Sequence, residues 1–338
     1  MIQIEWVRMS TVFVSNADSG EISVLQMDTQ GLLTAQGALH LGGNLMPMAV
    51  SPQRDRLFVA RRSAPMAVVS LAIDRATGNL TLLSEAALPA SMAYIGTDRT
   101  GLFLLAASYN GHQLTVSPVA SSGAVGAVQQ VVGTGPNAHA IMASPCNRFV
   151  LATSLGGDAL MVYAMHAQTG QLSLCHNWQT RAGAGPRHFR FDPQGRFVYL
   201  LNELDGTLDV LRWSALDGQL SGIQTVGILP QGFSGKPWSA DLHLTPDGRH
   251  LYASERTSST LAHFEVDVTT GLLTAKGHTP VESQPRGFAI DPSGQHLLVV
   301  GQTSHHLSRL AIDTDSGELI FQQRLPVGRG PNWVEILA

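Results

Sequence analysis

Short apolar segments of roughly five to seven residues recur along the whole chain. Each is bounded by Gly, Pro, Asp or Ser, as in RLFVAR, FVLATS and FVYLLNE. Segments this short, rich in β-branched and aromatic residues, favour strands over helices. The pattern therefore predicts an all-β chain made of many short strands.

A larger unit repeats on top of this pattern. It begins with Pro, continues as an apolar strand and ends in a Ser-Pro, Asp-Pro or Thr-Pro turn. Two further strands follow, and a fourth is introduced by Thr-Gly-x-Leu or a close variant. Seven copies, spaced 42 to 51 residues apart, begin at Pro47, Pro89, Pro136, Pro186, Pro237, Pro285 and Pro331. Four strands in about 47 residues are typical of one propeller blade.

The two ends of the chain complement each other. The seventh copy stops after its first strand at Ala338, whereas the chain starts with a second-strand pattern, TVFVSN, at Thr11. Pairing these strands would remove the open edges of the ring. We therefore predict a seven-bladed β-propeller with four antiparallel strands per blade, in which the N- and C-terminal strands close one blade together. Residues 11–338 would form a single domain and residues 1–10 a loosely attached extension, with Met1 or Met9 as the natural start.

Composition supports this interpretation and narrows the function. Gly (34) and Pro (17) are abundant and only 14% of residues are charged, which suits strands joined by tight turns. A net charge of −4 provides no basic field, so no nucleic-acid partner is expected. No apolar run reaches the ~18 residues of a membrane span, and the first residues lack a secretory pattern, which predicts a soluble cytoplasmic protein. Cys146 and Cys175 are too few for a disulfide framework and are expected to be inert core thiols.

Chemistry can be located by aligning the repeats, because the first strand of each blade lines the central channel. The position six before each turn holds Met46, Met92, His139, Arg187, Ala240 and Arg286, and the position ten after it holds Arg62, Ser108, Leu155, Glu203, Arg256 and Gln302. Charged groups in a channel must be paired with an opposite charge, be hydrated or take part in binding or catalysis. Structural ion pairs between blades are one interpretation, but His139, Arg187, Glu203 and Arg256 on neighbouring blades favour a functional cluster.

Other candidates carry weaker signals. His305 and His306 follow Gln302 in one loop, while Lys236, Trp238 and Asp241 lie in a longer insertion, GFSGKPWSADLH. His188 follows Arg187 directly, so strand alternation predicts that it points the other way and packs in the core. The chain has no Gly-rich phosphate loop, no Gly-x-Ser-x-Gly elbow and no closely spaced metal-ligand triad.

Several segments together resemble the cycloisomerase-2, or lactonase, propellers, and within them the bacterial 6-phosphogluconolactonases. These segments are GPRHFRFDP, YLLNELDGTLDV, WSADLHLTPDGRHLYASERT, SQPRGFAIDPSG and GQTSHHLS. The resemblance implies hydrolysis of 6-phospho-D-glucono-1,5-lactone to 6-phosphogluconate in the oxidative pentose phosphate pathway. A fungal relative that lactonises carboxymuconate has a proposed site of one His, two Arg and one Glu. These correspond to His139, Arg187, Arg256 and Glu203.

A lactone-hydrolysing site needs a base for water and a donor for the developing oxyanion. His139 is the preferred base because its ordinary pKa lies near neutrality, whereas neighbouring Arg side chains oppose the raised pKa that Glu203 would need. Arg187 and Arg256 would stabilise the oxyanion, and Glu203 would orient an Arg or the water. Arg62, Arg286, Gln302, Lys236 and His305 would bind the phosphorylated end of the substrate. No metal or organic cofactor is expected.

Two other functions remain open at this stage. A carboxymuconate cyclase would use the same four residues for proton transfer to carbon. A non-catalytic propeller would bind a protein on one face, although only 6% of residues are aromatic and such faces need an aromatic or apolar centre. The expected partner is therefore a small phosphorylated sugar lactone. The protein is expected to be a monomer or weak dimer and not to associate with a membrane.

Overall fold

The computed structural model describes residues 9–338 as seven four-stranded antiparallel sheets. Residues 1–8, most of the predicted N-terminal extension, lie outside the described residues. All regular secondary structure between residues 9 and 338 is β-strand, so no helix there could cross a membrane. The architecture confirms the predicted seven-bladed propeller.

Each blade contributes one strand to each of four concentric positions. The innermost strands are β4 (Leu45–Val50), β8 (Tyr94–Thr97), β12 (Ala138–Ala143), β16 (Pro186–Phe191), β20 (Ser239–Leu244), β24 (Pro285–Ile290) and β28 (Pro331–Leu337). The second strands are β1 (Ser10–Asn16), β5 (Arg56–Arg61), β9 (Phe103–Ser108), β13 (Phe149–Ser154), β17 (Phe197–Asn202), β21 (His250–Glu255) and β25 (His296–Gly301). The third strands are β2 (Glu21–Met27), β6 (Ala67–Ile73), β10 (Gln113–Pro118), β14 (Ala159–Met165), β18 (Thr207–Trp213), β22 (Thr260–Val266) and β26 (His306–Ile312). The outer strands are β3 (Leu33–His40), β7 (Leu80–Ala87), β11 (Gln130–Gly133), β15 (Leu172–Gln179), β19 (Leu220–Gly227), β23 (Leu273–Pro280) and β27 (Leu319–Pro326).

The first blade joins the two ends of the chain. Its strand order is β28-β1-β2-β3, and Val14 of β1 pairs with Val334 of β28. Blades 2 to 7 follow in chain order, from β4–β7 to β24–β27. The innermost strands contact one another around the ring, with β28 touching both β24 and β4. The predicted closure by the terminal strands is therefore confirmed.

Burial follows the distance of each strand from the channel. The second and third strands are buried almost throughout and pack between neighbouring sheets, whereas the outer strands are largely exposed. This arrangement corrects the expectation that both cysteines are core thiols. Cys175 lies on the outer strand β15 and Cys146 in the turn after β12, and both are exposed.

Glutamine side chains connect the outer strands of several neighbouring blades. The Gln323 side chain of blade 7 accepts a hydrogen bond from the Leu33 N–H (2.9 Å) and donates one to the Leu33 carbonyl (2.9 Å) of blade 1. Gln130 makes the same paired contact with Leu172, and Gln224 with Leu273. These amide pairs satisfy backbone groups at the start of an outer strand and tie one blade to the next.

The innermost strands begin irregularly. In six blades the pairing register with the second strand shifts near the start of the innermost strand, for example between Pro186 and His188 in blade 5. A bulge of this kind inserts one unpaired residue and re-aims the side chains around it. The shifts occur at the end of the channel where the polar residues predicted from the repeats are found. We call this end the first mouth and the opposite end the second mouth.

Candidate functional site

The four residues of the predicted catalytic cluster come from three consecutive blades. His139 lies on β12 of blade 4 and Arg187 on β16 of blade 5, both near the start of an innermost strand. Glu203 and Arg256 directly follow the second strands of blades 5 and 6. Because these strands are antiparallel, the start of the first strand and the end of the second lie side by side. All four residues therefore lie at the first mouth.

Glu203 holds two guanidinium groups at once. Its Oε2 atom lies 2.7 Å from Arg187 Nε and 3.1 Å from an Arg256 Nη, so the contact joins blades 5 and 6. Only 2% of each Arg side chain is exposed, compared with 13% for Glu203. Arg187 also donates a hydrogen bond to the Ala240 carbonyl of blade 6. One carboxylate thus orients two nearly buried cations.

Arg256 is fixed on several sides. Its Nε donates to the Trp238 carbonyl (3.0 Å) and an Nη to the Ser239 carbonyl (3.2 Å). The guanidinium also lies against the indole face of Trp238, a cation–π contact. The backbone N–H of Trp238 in turn donates to a Glu255 carboxylate oxygen (2.7 Å). The insertion that contains Trp238 is therefore part of the mouth and positions Arg256.

His139 is buried and uncharged. Burial is the main cause that holds its pKa well below the usual value, and the positive charges of Arg187, Arg286 and Arg256 act in the same direction. Its Nδ1 atom is buried without a hydrogen-bond partner among the described residues. A neutral imidazole can accept a proton.

Arg62 and Arg286 add two more cations. Arg62 Nε donates to the Ser91 hydroxyl (2.9 Å). Burial, reinforced by Arg187 and Arg62, lowers the pKa of Arg286 to about 9. The first mouth thus combines four guanidinium groups with the Glu203 carboxylate, which pairs with two of them. Such an excess of positive charge suits an anionic ligand.

The remaining predicted binding residues lie in loops around this cluster. Lys236 is exposed in the insertion next to Trp238, and its carbonyl accepts a hydrogen bond from Thr257. Gln302 and His305 belong to the loop between β25 and β26, where His305 Nδ1 accepts a hydrogen bond from the Gly330 N–H (3.2 Å). Among residues 9–338, none of these three side chains makes a hydrogen bond or ion pair with the Arg–Glu cluster.

His188 is buried and packs edge to face against Tyr94, His139 and Trp333, as expected for a core position, but it also makes a polar contact with the next blade that the sequence did not predict. The His188 and Arg187 side chains both reach blade 6, since His188 Nδ1 lies 2.8 Å from Asp241 Oδ1 and Arg187 contacts Ala240. The pairing register shifts at the start of β16, which interrupts strict alternation there. The repeats do carry a signal for this pair, because His188 and Asp241 occupy the same position, five before the turn, in adjacent blades.

The second mouth opens into a cavity of about 390 Å³. Arg190, Tyr94, Asp241, His243 and Glu335 contribute its polar groups, and apolar side chains such as Phe288 and Ile290 complete the wall. Arg190 donates a hydrogen bond to the Tyr94 hydroxyl (3.3 Å) and lies 3.5 Å from Asp241. Asp241 therefore faces His188 on one side and this cavity on the other.

No group of three or more His, Cys, Asp and Glu side chains in the described part of the chain is arranged as a metal site. The charged groups of the first mouth are mostly guanidiniums, which bind anions rather than metal ions. The Arg side chains of the first mouth can bind an anion and donate hydrogen bonds to a developing negative charge, and His139 can accept a proton.

Comparisons with known proteins agree with this description. The family model described as "Lactonase, 7-bladed beta-propeller" matches residues 10–336. A 6-phosphogluconolactonase of Pectobacterium carotovorum is 41% identical over 330 residues, covering 97% of this chain and 98% of that protein. One of Serratia proteamaculans is 40% identical over 332 residues with the same coverage. The solved structure of a periplasmic gluconolactonase of Pseudomonas aeruginosa superimposes with a TM-score of 0.91 at 28% identity, covering 98% of this chain and 99% of that chain.

Proposed function

The chain belongs to the lactonase family of seven-bladed β-propellers, and we propose that it hydrolyses 6-phospho-D-glucono-1,5-lactone to 6-phospho-D-gluconate. The observation that carries the proposal is the cluster of Arg187, Arg256 and Glu203 beside a neutral His139. The choice of substrate is supported by relatives named 6-phosphogluconolactonase, which are about 40% identical to this chain over nearly its full length. The reaction is the hydrolysis of a cyclic carboxylic ester.

The charges at the first mouth match the substrate. A phosphate monoester carries about −1.5 to −2 charges at neutral pH, and the attacked carbonyl gains negative charge in the transition state. Four guanidinium groups, only two of which pair with Glu203, can accommodate both. Arg62 and Arg286, on blades 2 and 7, would hold the phosphate, assisted by Lys236, Gln302 and His305 from the surrounding loops. Arg187 and Arg256 would face the ester.

The proposed mechanism begins with a water molecule whose proton is accepted by His139 Nε2. The water oxygen bonds to the carbonyl carbon, and the resulting oxyanion is stabilised by Arg187 and Arg256. Collapse of this intermediate breaks the bond to the ring oxygen, which receives the proton from His139. Glu203 keeps the two guanidiniums in place throughout. The product acid then loses its proton to solvent at neutral pH.

The proposed phosphate contacts would favour the phosphorylated lactone over unphosphorylated sugar lactones as substrate. The relative from Pseudomonas aeruginosa is named a periplasmic gluconolactonase. A phosphorylated sugar is retained inside the cell because its charge prevents passage across the membrane. We accordingly place the enzyme in the cytoplasm, where the oxidative pentose phosphate pathway would supply its substrate.

The test is the hydrolysis of freshly generated 6-phospho-D-glucono-1,5-lactone, followed by coupled oxidation of the product and corrected for spontaneous ring opening. We expect acceleration by the wild type and a loss of about 10² to 10³ in kcat for Arg256→Ala, the usual effect of removing an oxyanion donor. Arg249→Ala is the matched control, since this Arg lies in an exposed turn of the same blade.

Wild-type protein that does not exceed the spontaneous rate would reject the proposal. Carboxymuconate would then be the next substrate to assay, and a protein-binding screen would follow. Substrate preference is tested with D-glucono-1,5-lactone in parallel. We expect Arg286→Met to raise KM for the phosphorylated lactone and to leave that for the unphosphorylated one unchanged. Equal effects on both would show that Arg286 does not bind the phosphate.

A further inference from the structure

A buried histidine–aspartate pair lies directly behind His139. His188 Nδ1 is 2.8 Å from Asp241 Oδ1, and only 2% and 5% of the two side chains are exposed. Although burial alone would oppose ionisation, His243 and His188 hold the pKa of Asp241 well below its usual range. Burial, reinforced by Arg187, lowers the pKa of His188 to about 3. The pair is therefore a carboxylate that accepts the Nδ1 proton of a neutral imidazole.

This hydrogen bond determines the state of the other His188 nitrogen. With the proton on Nδ1, Nε2 carries the lone pair and is an acceptor. His188 Nε2 is buried without a partner among the described residues, and so is His139 Nδ1. The two rings lie edge to face with centroids 5.1 Å apart. A buried acceptor and a buried nitrogen that can donate thus lie on adjacent rings, and leaving either without a partner costs about 1 to 3 kcal/mol.

We propose that Asp241 and His188 are positioning residues for the hydrolytic site. Asp241 fixes the tautomer of His188, and His188 Nε2 accepts the Nδ1 proton of His139, directly or through one water molecule. His139 consequently presents an unprotonated Nε2 to the mouth. This inference rests on the proposed function, because it names the residues that prepare the base of that reaction.

The surrounding charges explain why such a pair is needed. His139 is faced by Arg187, Arg286 and Arg256, all of which oppose its protonation. Glu203 is engaged by two of these cations and makes no ion pair with His139 in the described part of the chain. His188 is faced by Arg187 and Arg190, and Asp241 supplies the opposing negative charge. Asp241 is thus the carboxylate that supports a transient imidazolium at His139 through His188.

The proton balance is simple. During attack, water gives one proton to His139 Nε2, and the imidazolium keeps its Nδ1 proton in the hydrogen bond towards His188. During ring opening the Nε2 proton passes to the ring oxygen and the original tautomer is restored. His188 and Asp241 exchange no proton with substrate, so their contribution is orientation and charge stabilisation.

The first test needs no substrate and reads the wild-type protein. In ¹⁵N-histidine-labelled wild-type protein at pH 8, two-bond ¹H–¹⁵N spectra distinguish the two neutral tautomers of each imidazole. We expect the Nδ1–H tautomer for both His139 and His188, with signals assigned by single His→Gln variants. An Nε2–H tautomer at His139 would overturn the proposal. Because no lactone is present, this result is independent of whether the proposed reaction is correct.

The second test separates positioning from general structural support. In His188→Gln and Asp241→Asn we expect kcat to fall about tenfold or more, part of the 10² to 10⁴ that a general base contributes, while KM changes less than threefold. Asp241→Asn should also abolish the uniform Nδ1–H state of His188. His250→Gln is the matched control, since His250 is a buried histidine of blade 6 that bonds His263 instead.

Each outcome is decisive. A His188→Gln enzyme that melts like the control and keeps kcat within threefold of wild type would overturn the positioning role. If Asp241→Asn does not fold, His188→Gln and the wild-type tautomers still decide the question. Wild-type protein that shows the expected tautomers but hydrolyses no lactone would refute the proposed function and leave the hydrogen-bonded arrangement established.

Discussion

The guanidinium carbon of Arg256 lies 3.9 Å from the centre of the Trp238 ring, although 38% of Trp238 is exposed. An exposed indole beside a nearly buried cation forms part of the wall of the first mouth. A cation–π contact of this kind contributes up to about 2 kcal/mol where the cation is desolvated. Trp238 is therefore expected to influence catalysis through Arg256.

Replacing Trp238 with Leu should lower kcat/KM by about tenfold, since each 1.4 kcal/mol corresponds to one factor of ten. Lactone hydrolysis measures the effect, and thermal unfolding checks the fold. Leu216→Ala is a suitable control because Leu216 is 81% exposed in a peripheral turn. Activity within twofold of wild type in Trp238→Leu would show that the hydrogen bonds to the Trp238 and Ser239 carbonyls suffice to hold Arg256.

Replacing Glu203 with Gln should destabilise the protein strongly. Two side chains that are only 2% exposed, Arg187 and Arg256, would lose their shared counter-charge. Leaving buried charges unpaired costs about 3 to 5 kcal/mol. Urea unfolding measures the loss, and Glu265→Gln provides the contrast. Its ion pair with Lys276 is exposed, so no measurable change is expected there. Equal losses of unfolding free energy in the two variants would contradict the role of Glu203 as the shared counter-charge of Arg187 and Arg256.

Glu335 at the second mouth should make stability depend on pH. Burial raises its pKa from 4.5 to about 7, although Trp333 and Arg190 favour the ionised form. The folded state therefore binds a proton more tightly than the unfolded chain does. The resulting stability is fully present below about pH 4.5 and is lost as the pH rises through about 7.

Removing this titration should help at high pH. Relative to wild type, Glu335→Gln is expected to be more stable at pH 8 than at pH 5, by a difference on the order of 2 kcal/mol. Urea midpoints of both proteins at the two pH values provide the measurement. A difference between variant and wild type that does not change with pH would show that Glu335 titrates normally.

The amide pair between blades 7 and 1 should contribute to ring stability. Gln323→Ala removes two hydrogen bonds to Leu33, each worth about 1 kcal/mol, so the free energy of unfolding should fall by about 2 kcal/mol. The neighbouring Gln322 is exposed and makes no such contact, so Gln322→Ala should unfold like wild type. If both variants lose the same stability, strand propensity rather than the interblade contact is responsible.

The propeller could be predicted because its information is periodic. A single blade is an ambiguous pattern, but seven copies spaced 42 to 51 residues apart leave few other folds. The pairing of the terminal strands was predictable for the same reason. The segment after Pro331 is a first strand without the rest of its blade, and TVFVSN begins a blade that lacks its first strand. The exposure of Cys146 and Cys175 was not predictable from residue type, because it depends on Cys146 lying in a turn and Cys175 on an outermost strand.

The site was predictable where it follows the repeat and missed where the backbone departs from it. Counting from the turns placed Arg187, Glu203 and Arg256 at one mouth, where the structure joins them through ion pairs. Burial of His188 was expected from strand alternation, but its contact with Asp241 was missed, because the pairing register shifts at the start of β16. Irregular pairing of this kind depends on tertiary contacts and has no simple sequence pattern.

The position of β28 has a consequence for synthesis of the protein. A ribosome makes β1 first and β28 only after all six intervening blades, yet the two strands are hydrogen-bonded neighbours. Until residues 331–337 emerge, the inner edge of β1 stays unpaired, and the channel lacks Trp333 and Glu335. The wall of the channel is therefore completed last, and the growing polypeptide is most exposed to aggregation and to chaperones just before the ring closes.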